Sequence, residues 1–181
     1  YDLSGFFMQI DLDETDRVLL EALQSNARLT TSELAIKVGM SQSPCWRRVK
    51  RLEDAGLITG YGAKLDRRAL GYGVMAFVNI TIDSQNESPS LEFENAVRDI
   101  PEVVMCHGVS GPEDFVLVVV AKDIDAYSTL MQNKLRRLPS VKTLRTSFSM
   151  LEVKGLDRLP VGPNVVAPAQ PSPAHESKRL M

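Results

Sequence analysis

The chain has 181 residues, 44% of them hydrophobic and 24% charged, with a formal net charge of −2. That length admits one large or two small domains, and the slight acidity argues against a globally basic nucleic-acid coat. Two cysteines are too few for a disulfide framework, and no apolar run reaches the ~20 residues that span a bilayer, so a soluble protein of the reducing cytoplasm is expected.

Residues 1–7 (YDLSGFF) show no periodicity and are expected to stand outside the fold as an upstream remnant. Asp13 can cap a first helix, with Asp16 at its third position complementing the helix dipole, Leu19, Leu20 and Leu23 on its apolar face and Asn26 at its end. Thr30 and Glu33 have the spacing of a reciprocal cap, and Leu34, Ala35 and Val38 then recur at helical intervals up to Gly39. Ser41 can open a further helix that keeps Pro44 in its first turn. At about 100° per residue, Cys45, Val49 and Leu52 form one thin stripe, while Ser43, Arg47, Lys50 and Arg51 fall mostly opposite. Gly56 closes this helix, and Leu57 and Ile58 begin a short extended stretch running through Tyr61 to Leu65. Two helices joined by a tight turn, the second basic on its outer side and followed by a ribbon, read as a winged helix-turn-helix. The candidate DNA-contacting residues are Gln42, Ser43, Pro44, Arg47, Lys50 and Arg51. The plain alternative is a solvated cationic face. Between Arg28 and Arg68 nine cations meet four anions, and this local positive excess favours a phosphate-binding surface. Trp46 stands beside that face and can pack on the first helix or approach a DNA backbone, packing being the commoner arrangement.

Residues 66–73 (DRRALGYG) read as a linker, and from Val74 the period changes. Residues 74–82 (VMAFVNITI) are β-branched and partly alternating, a strand. Ser88-Pro89 opens a helix whose inward stripe is Phe93, Ala96, Val97 and Ile100, and Pro101 stops it. Strands follow at 103–109 and at 115–121, the latter almost continuously apolar and so expected at the centre of a sheet. Asp123 can cap a second helix carrying Tyr127, Leu130, Met131, Leu135 and Leu138, stopped by Pro139, and a last strand is expected over 143–153. The tetrads Ile100-Pro101-Glu102-Val103 and Leu138-Pro139-Ser140-Val141 mark two strand-helix-strand halves, the pattern of a ferredoxin-like βαββαβ domain. Its helices cover one face of the sheet; the other remains apolar and calls for a second copy of the chain. Five of the ten prolines fall after Leu159, so the end of the chain is expected to be disordered. The predicted organisation is α+β: a winged helix-turn-helix over 10–65, a linker over 66–73, a ferredoxin-like sensing and oligomerisation domain over 74–156 and a Pro-rich tail over 157–181.

Catalysis finds little support. Neighbours on a strand, Cys106 and His107 point to opposite faces and cannot hold one metal ion together. No phosphate-cradling glycine loop occurs, and no serine or cysteine nucleophile has a convincing base, so no catalytic residue, metal or cofactor is expected. Glu113 and Asp114 are adjacent acids in the turn between the second and third strands of the domain.

The chain resembles the leucine-responsive/asparagine-responsive (Lrp/AsnC) family of transcription regulators. The resemblance lies in Leu12-Asp13-x-x-Asp16, in Arg28-Leu29-Thr30-x-x-Glu33-Leu34, and in the run Val38-Gly39-x-Ser41-x-x-Pro44-Cys45-x-x-Arg48-Val49-x-x-Leu52-Glu53-x-x-Gly56-x-Ile58. Gly111-x-x-Asp114-Phe115-x-Leu117 is similar to that family's turn before the third strand of the sensor. The likeness covers roughly residues 10–155; the Pro-rich extension and the Pro-Glu pair before Asp114 depart from it. It implies a winged helix tethered to a ferredoxin-like sensor, dimers formed by pairing sensor sheets, rings of up to four dimers, and a small effector, typically an amino acid. The turn residues Val109, Ser110, Gly111, Glu113, Asp114 and Phe115 are the candidate effector site. Backbone N–H groups around Gly111 suit a carboxylate and Asp114 suits an ammonium group. The expected function is therefore sequence-specific, effector-modulated transcription regulation on double-stranded DNA. The alternative is a ligand-independent architectural protein that wraps DNA.

Overall fold

Reciprocal caps set where the first two helices begin. In α1 (Glu14–Ser25) the Asp13 carboxylate accepts from the Asp16 backbone N–H while the Asp16 carboxylate accepts from that of Asp13. In α2 (Thr31–Lys37), Thr30 and Glu33 do the same. Each such pair satisfies two backbone donors that a helix start leaves unpaired. Ser41 occupies the cap position of α3 (Gln42–Asp54) without a side-chain hydrogen bond. Gly39 and Gly56 follow α2 and α3 with φ of 65° and 71°, values at which a side chain would be strained. Leu12, Leu19, Leu23, Leu34, Ala35, Cys45 and Leu52 make the core between the three helices.

The computed structural model describes residues 7–83, 89–156, 158–162 and 164–168, and the chain divides into two units. One comprises the chain up to Ala63 together with the chain from Lys154 onward; the other is Lys64–Val153. Two expectations at the chain ends are corrected. Phe7 does not stand outside the fold: it starts β1 (Phe7–Asp11), while residues 1–6 lie outside the described residues. Nor is the whole of 157–181 unstructured: the last strand, β6 (Asn164–Pro168), pairs antiparallel with β1, Phe7 opposite Pro168 and Asp11 opposite Asn164. Ahead of that strand, the Gln24 amide donates to the Leu159 carbonyl at 3.1 Å and accepts from the Leu159 N–H at 2.7 Å, and Val161 packs on the helical core. A Pro-rich segment that cannot build its own core can still complete another. The ribbon expected between Leu57 and Leu65 is also corrected. Leu57 and Ile58 pack on the helical core, but no strand forms there among the described residues, because Gly60 and Gly62 punctuate the stretch.

The second unit begins with a fastened turn rather than a loose linker. Asp66 accepts from the N–H groups of Arg68 and Ala69, and the Arg67 guanidinium donates to the carbonyls of Tyr72 and Gly73. Then follow β2 (Val74–Ile82), α4 (Pro89–Arg98), β3 (Val103–Gly108), β4 (Phe115–Ala121), α5 (Ile124–Asn133), a 3-10 turn (Leu135–Arg137) and β5 (Val141–Phe148). Ser88, expected to cap α4, lies outside the described residues. The expected last strand ends at Phe148 rather than 153. Beyond it Met150, Leu151 and Val153 are exposed. The sheet is fully antiparallel in the order β3-β4-β2-β5, the ferredoxin-like arrangement. Ala76, Val78 and Ile80 from β2 and Phe115, Leu117 and Val119 from β4 face Phe93, Val97, Tyr127 and Leu130 of the helices in one core. By alternation, Met75 and Phe77 of β2 and Val116 and Val118 of β4 look out from the opposite face.

Candidate functional site

The outward face of α3 is set by what its inward face buries. Cys45 and Leu52 are fully buried and Val49 partly so, which turns Ser43 and Arg47 to solvent. Of the six candidate DNA-contacting residues, Gln42, Ser43, Arg47, Lys50 and Arg51 are exposed and Pro44 is half-buried. Their charges are not equally free. Lys50 pairs with Asp54 at 2.9 Å and lies 3.8 Å from Glu53; the Asp54 hydrogen bond, then its charge, holds the ammonium above its ordinary value. Arg51 pairs with Asp16 of α1. Gln42 donates to the Ser32 hydroxyl, tying the start of α3 to α2. Of the four cations of α3, Arg47 alone has no hydrogen-bond or ion-pair partner among the described residues. Trp46 does not pack away: it is 57% exposed, beside the outward face.

Arg48, Asp13 and Asp16 form a polar cluster that the helical wheel did not single out. One Arg48 nitrogen donates to Asp13 at 2.6 Å and to Asp16 at 3.0 Å. The Asp16 N–H first, then the Arg48 guanidinium, lower the Asp13 carboxyl below its ordinary value. The sequence signal is the pair of acids at the start of α1, of which Asp13 is expected as a cap and Asp16 as a complement to the helix dipole.

In the second unit the turn from Val109 to Asp114 closes with the Val109 N–H donating to the Asp114 carbonyl at 2.9 Å. Gly111 has open space where a side chain would stand. Asp114 is not a solvated acid: its Oδ2 accepts from the Ile82 N–H at 2.9 Å, and its own N–H donates to the Ile80 carbonyl, so it ties the turn to the end of β2. Glu113, largely buried, pairs with Arg145 of β5. Val109 and Ser110 are exposed and Phe115 is buried against Phe93, with ring centroids 4.5 Å apart. The turn thus brings all six candidate residues together, its two acids already engaged by the sheet. Among the described residues no cluster of His, Cys, Asp and Glu could hold a metal ion, and no helix is long and apolar enough to cross a membrane.

The model of a winged helix-turn-helix DNA-binding domain matches residues 12–59, and that of the Lrp/AsnC ligand-binding domain matches residues 75–159. The leucine-responsive regulatory protein of Escherichia coli K12 is 40% identical over 149 residues, which is 82% of this chain and 91% of that protein. The chain belongs to the Lrp/AsnC family. Among solved structures, a transcriptional regulator from Neisseria meningitidis in complex with L-Met is similar at TM-score 0.79 and 36% identity, over 82% of this chain and 96% of that one. AsnC of E. coli is similar at TM-score 0.73 and 28% identity, over 81% of this chain and 99% of that one. As an Lrp/AsnC member, the protein is a DNA-binding transcription regulator with a ligand-binding second domain. The β1–β6 ribbon straddles these limits: both of its strands lie outside the two matched stretches.

Proposed function

We propose that α3 is the recognition helix, that Arg47 is its principal DNA contact, and that the effector is an amino acid received at the turn 109–115. The observation carrying the DNA reading is the free, outward Arg47 beside neighbours that are already paired. A guanidinium without a partner can give its donors to a guanine edge or a phosphate at no cost in broken ion pairs. Ser43, one turn earlier on the same face, and Gln42 and Pro44 at the helix start complete the contact surface, while Lys50 and Arg51 border it with their charges already held in ion pairs. The protein acts in the cytoplasm and catalyses no reaction. Its sensor sheets pair through the outward face of β2 and β4, which places two recognition helices for a two-fold half-site repeat, and four such dimers can close a ring.

The amino-acid reading draws on the L-Met complex of the N. meningitidis relative and on the turn's chemistry. Val109, Ser110 and Gly111 offer exposed backbone, Asp114 offers a carboxylate bonded among the described residues only to the neutral Ile82 N–H, Glu113 stands beside it in its ion pair with Arg145, and Phe115 anchors the turn in the core. A thermal-shift screen of the twenty amino acids tests it, because a ligand that binds only the folded state raises the melting temperature. Asp114→Asn keeps an acceptor for Ile82 and removes the charge, so the apo melting temperature should hold while the ligand-induced rise disappears. An unaltered rise in that variant would place the effector elsewhere, and no rise with any amino acid would favour the architectural reading. For DNA, Arg47→Ala should weaken specific binding by about 1–3 kcal/mol in a gel-shift titration.

A further inference from the structure

The start of α1 and one flank of α3 are locked together by charge. Asp16 is 1% exposed, the one charged residue buried among the described residues, and it lies on α1 rather than on the DNA-facing helix. Its carboxylate accepts from Arg48 at 3.0 Å and from Arg51, while Asp13 accepts from the same Arg48 nitrogen at 2.6 Å. Arg48 and Arg51 are three residues apart, so they stand one above the other on α3. That flank lies between the buried stripe of Cys45 and Leu52 and the outward face of Ser43 and Arg47.

We propose that Asp16 is a positioning residue for DNA recognition: it fixes the rotation of α3 about its own axis and withholds Arg48 and Arg51 from the phosphates. The proposal rests on α3 being the recognition helix. A thin apolar stripe resists rotation poorly, because hydrophobic burial has no direction. Two guanidinium groups held at two heights by one buried carboxylate do have direction. A guanidinium stands roughly 9 Å from its helix axis, so a turn of about 20° would carry that of Arg47 about 3 Å, more than a hydrogen bond tolerates.

The same cluster controls charge. Asp13 and Asp16 offset Arg48 and Arg51, and Glu53 and Asp54 together more than offset Lys50, so the helix and its acids sum to no net charge although Arg47 itself has no ion-pair partner among the described residues. A helix with little net charge gains little from phosphates alone and binds tightly only where its base contacts fit.

Asp16→Asn tests this, since asparagine keeps the shape and an acceptor for the Asp13 N–H but loses the charge. Binding of the full chain is measured by fluorescence anisotropy over a salt series. The probes are a duplex selected from a random library by the unaltered protein and a scrambled duplex of equal composition. The preference for the selected duplex should fall at least about tenfold, the discrimination carried by one misplaced base contact. Affinity for the scrambled duplex should rise and its salt slope steepen by about 0.9 per phosphate newly engaged. A merely structural role would instead weaken both duplexes in parallel at constant slope, and that result would overturn the proposal. Arg51→Gln gives a second measure should Asp16→Asn fail to fold. An unchanged salt slope supports Arg51 as held by Asp16, and a slope shallower by about 0.9 makes it a phosphate contact and overturns the proposal. Arg47→Ala is the control: if it alters neither duplex, the placement of α3 on DNA fails, and if it weakens binding, any failure belongs to Asp16 alone.

Discussion

The two units of this chain are held together by different means. Among the described residues the sensor unit buries fourteen in one core spanning a four-stranded sheet, while the DNA-binding unit buries seven among three short helices. The smaller unit makes up the difference with direction: two reciprocal caps, a charged cluster between α1 and α3, and a segment from the far end of the chain clasped by Gln24. Apolar area grows with domain size, so a three-helix unit has little of it to spend on stability. Polar contacts are worth less each but can aim a helix. A sensor needs bulk, whereas a reading head needs orientation, and the distribution of contacts follows that division.

Paired core deletions should show the contrast most strongly. Phe93→Ala in the sensor and Leu52→Ala in the DNA-binding unit should each cost about 3–5 kcal/mol. Hydrogen exchange should show the loss confined to the sensor in the first variant and the near-complete opening of α1–α3 in the second. Equal, chain-wide loss of protection in both variants would mean that the units do not behave separately. Next in size is removal of residues 157–181, which takes away β6, Val161 and both Gln24 hydrogen bonds. It should destabilise the DNA-binding unit by about 2 kcal/mol and leave the protection of β2–β5 unchanged. Thr30→Ala should cost about 1 kcal/mol, visible as faster exchange in α2.

The smallest expected effect concerns pH. The Asp13 carboxyl is lowered from 3.8 by the Asp16 N–H and then by Arg48; that of Glu33 is lowered from 4.5 by the Thr30 N–H and hydroxyl. Both are more acidic folded than unfolded, so their stabilisation is present above those ordinary values and is lost as pH falls through the depressed ones. Acid titration monitored by exchange should open α1 and α2 before the inner strands β2 and β4. Simultaneous opening would assign the sensitivity to groups outside the caps.

Much of this arrangement is legible along the chain because it is local. The caps at Asp13 and Thr30, the residues ending each helix and the alternation of 74–82 depend on neighbours within a turn or a pleat. The order of the sheet follows from the repeated tetrads and the rule for antiparallel hairpins. What escaped was non-local. The helical wheel gives the direction of Arg51 but not that a buried acid on another helix stands opposite it. The Asp16 carboxylate accepts from the Asp13 N–H at the start of α1 and also from two arginines of α3, and the first role hides the second. Proline content measures how poorly a segment builds its own core; it says nothing of pairing with a strand more than 150 residues earlier. The ribbon expected at 57–65 failed for the converse reason, since Leu57 and Ile58 pack on the helical core and Gly60 and Gly62 interrupt the stretch that follows.

The return of the chain to its own beginning alters what a protease would release. In a linear pair of domains, one cut between them yields two separable pieces. Here the exposed stretch 59–65 joins the units once, and the chain crosses back after Val153 to lay Arg158–Val161 and Asn164–Pro168 on the first unit. A single tryptic cut after Lys64 should therefore give two bands on a denaturing gel but one peak by native size exclusion. The amino-terminal fragment would be retained by β-pairing with the carboxy-terminal one, and a second cut near Lys154 would set it free together with its strap.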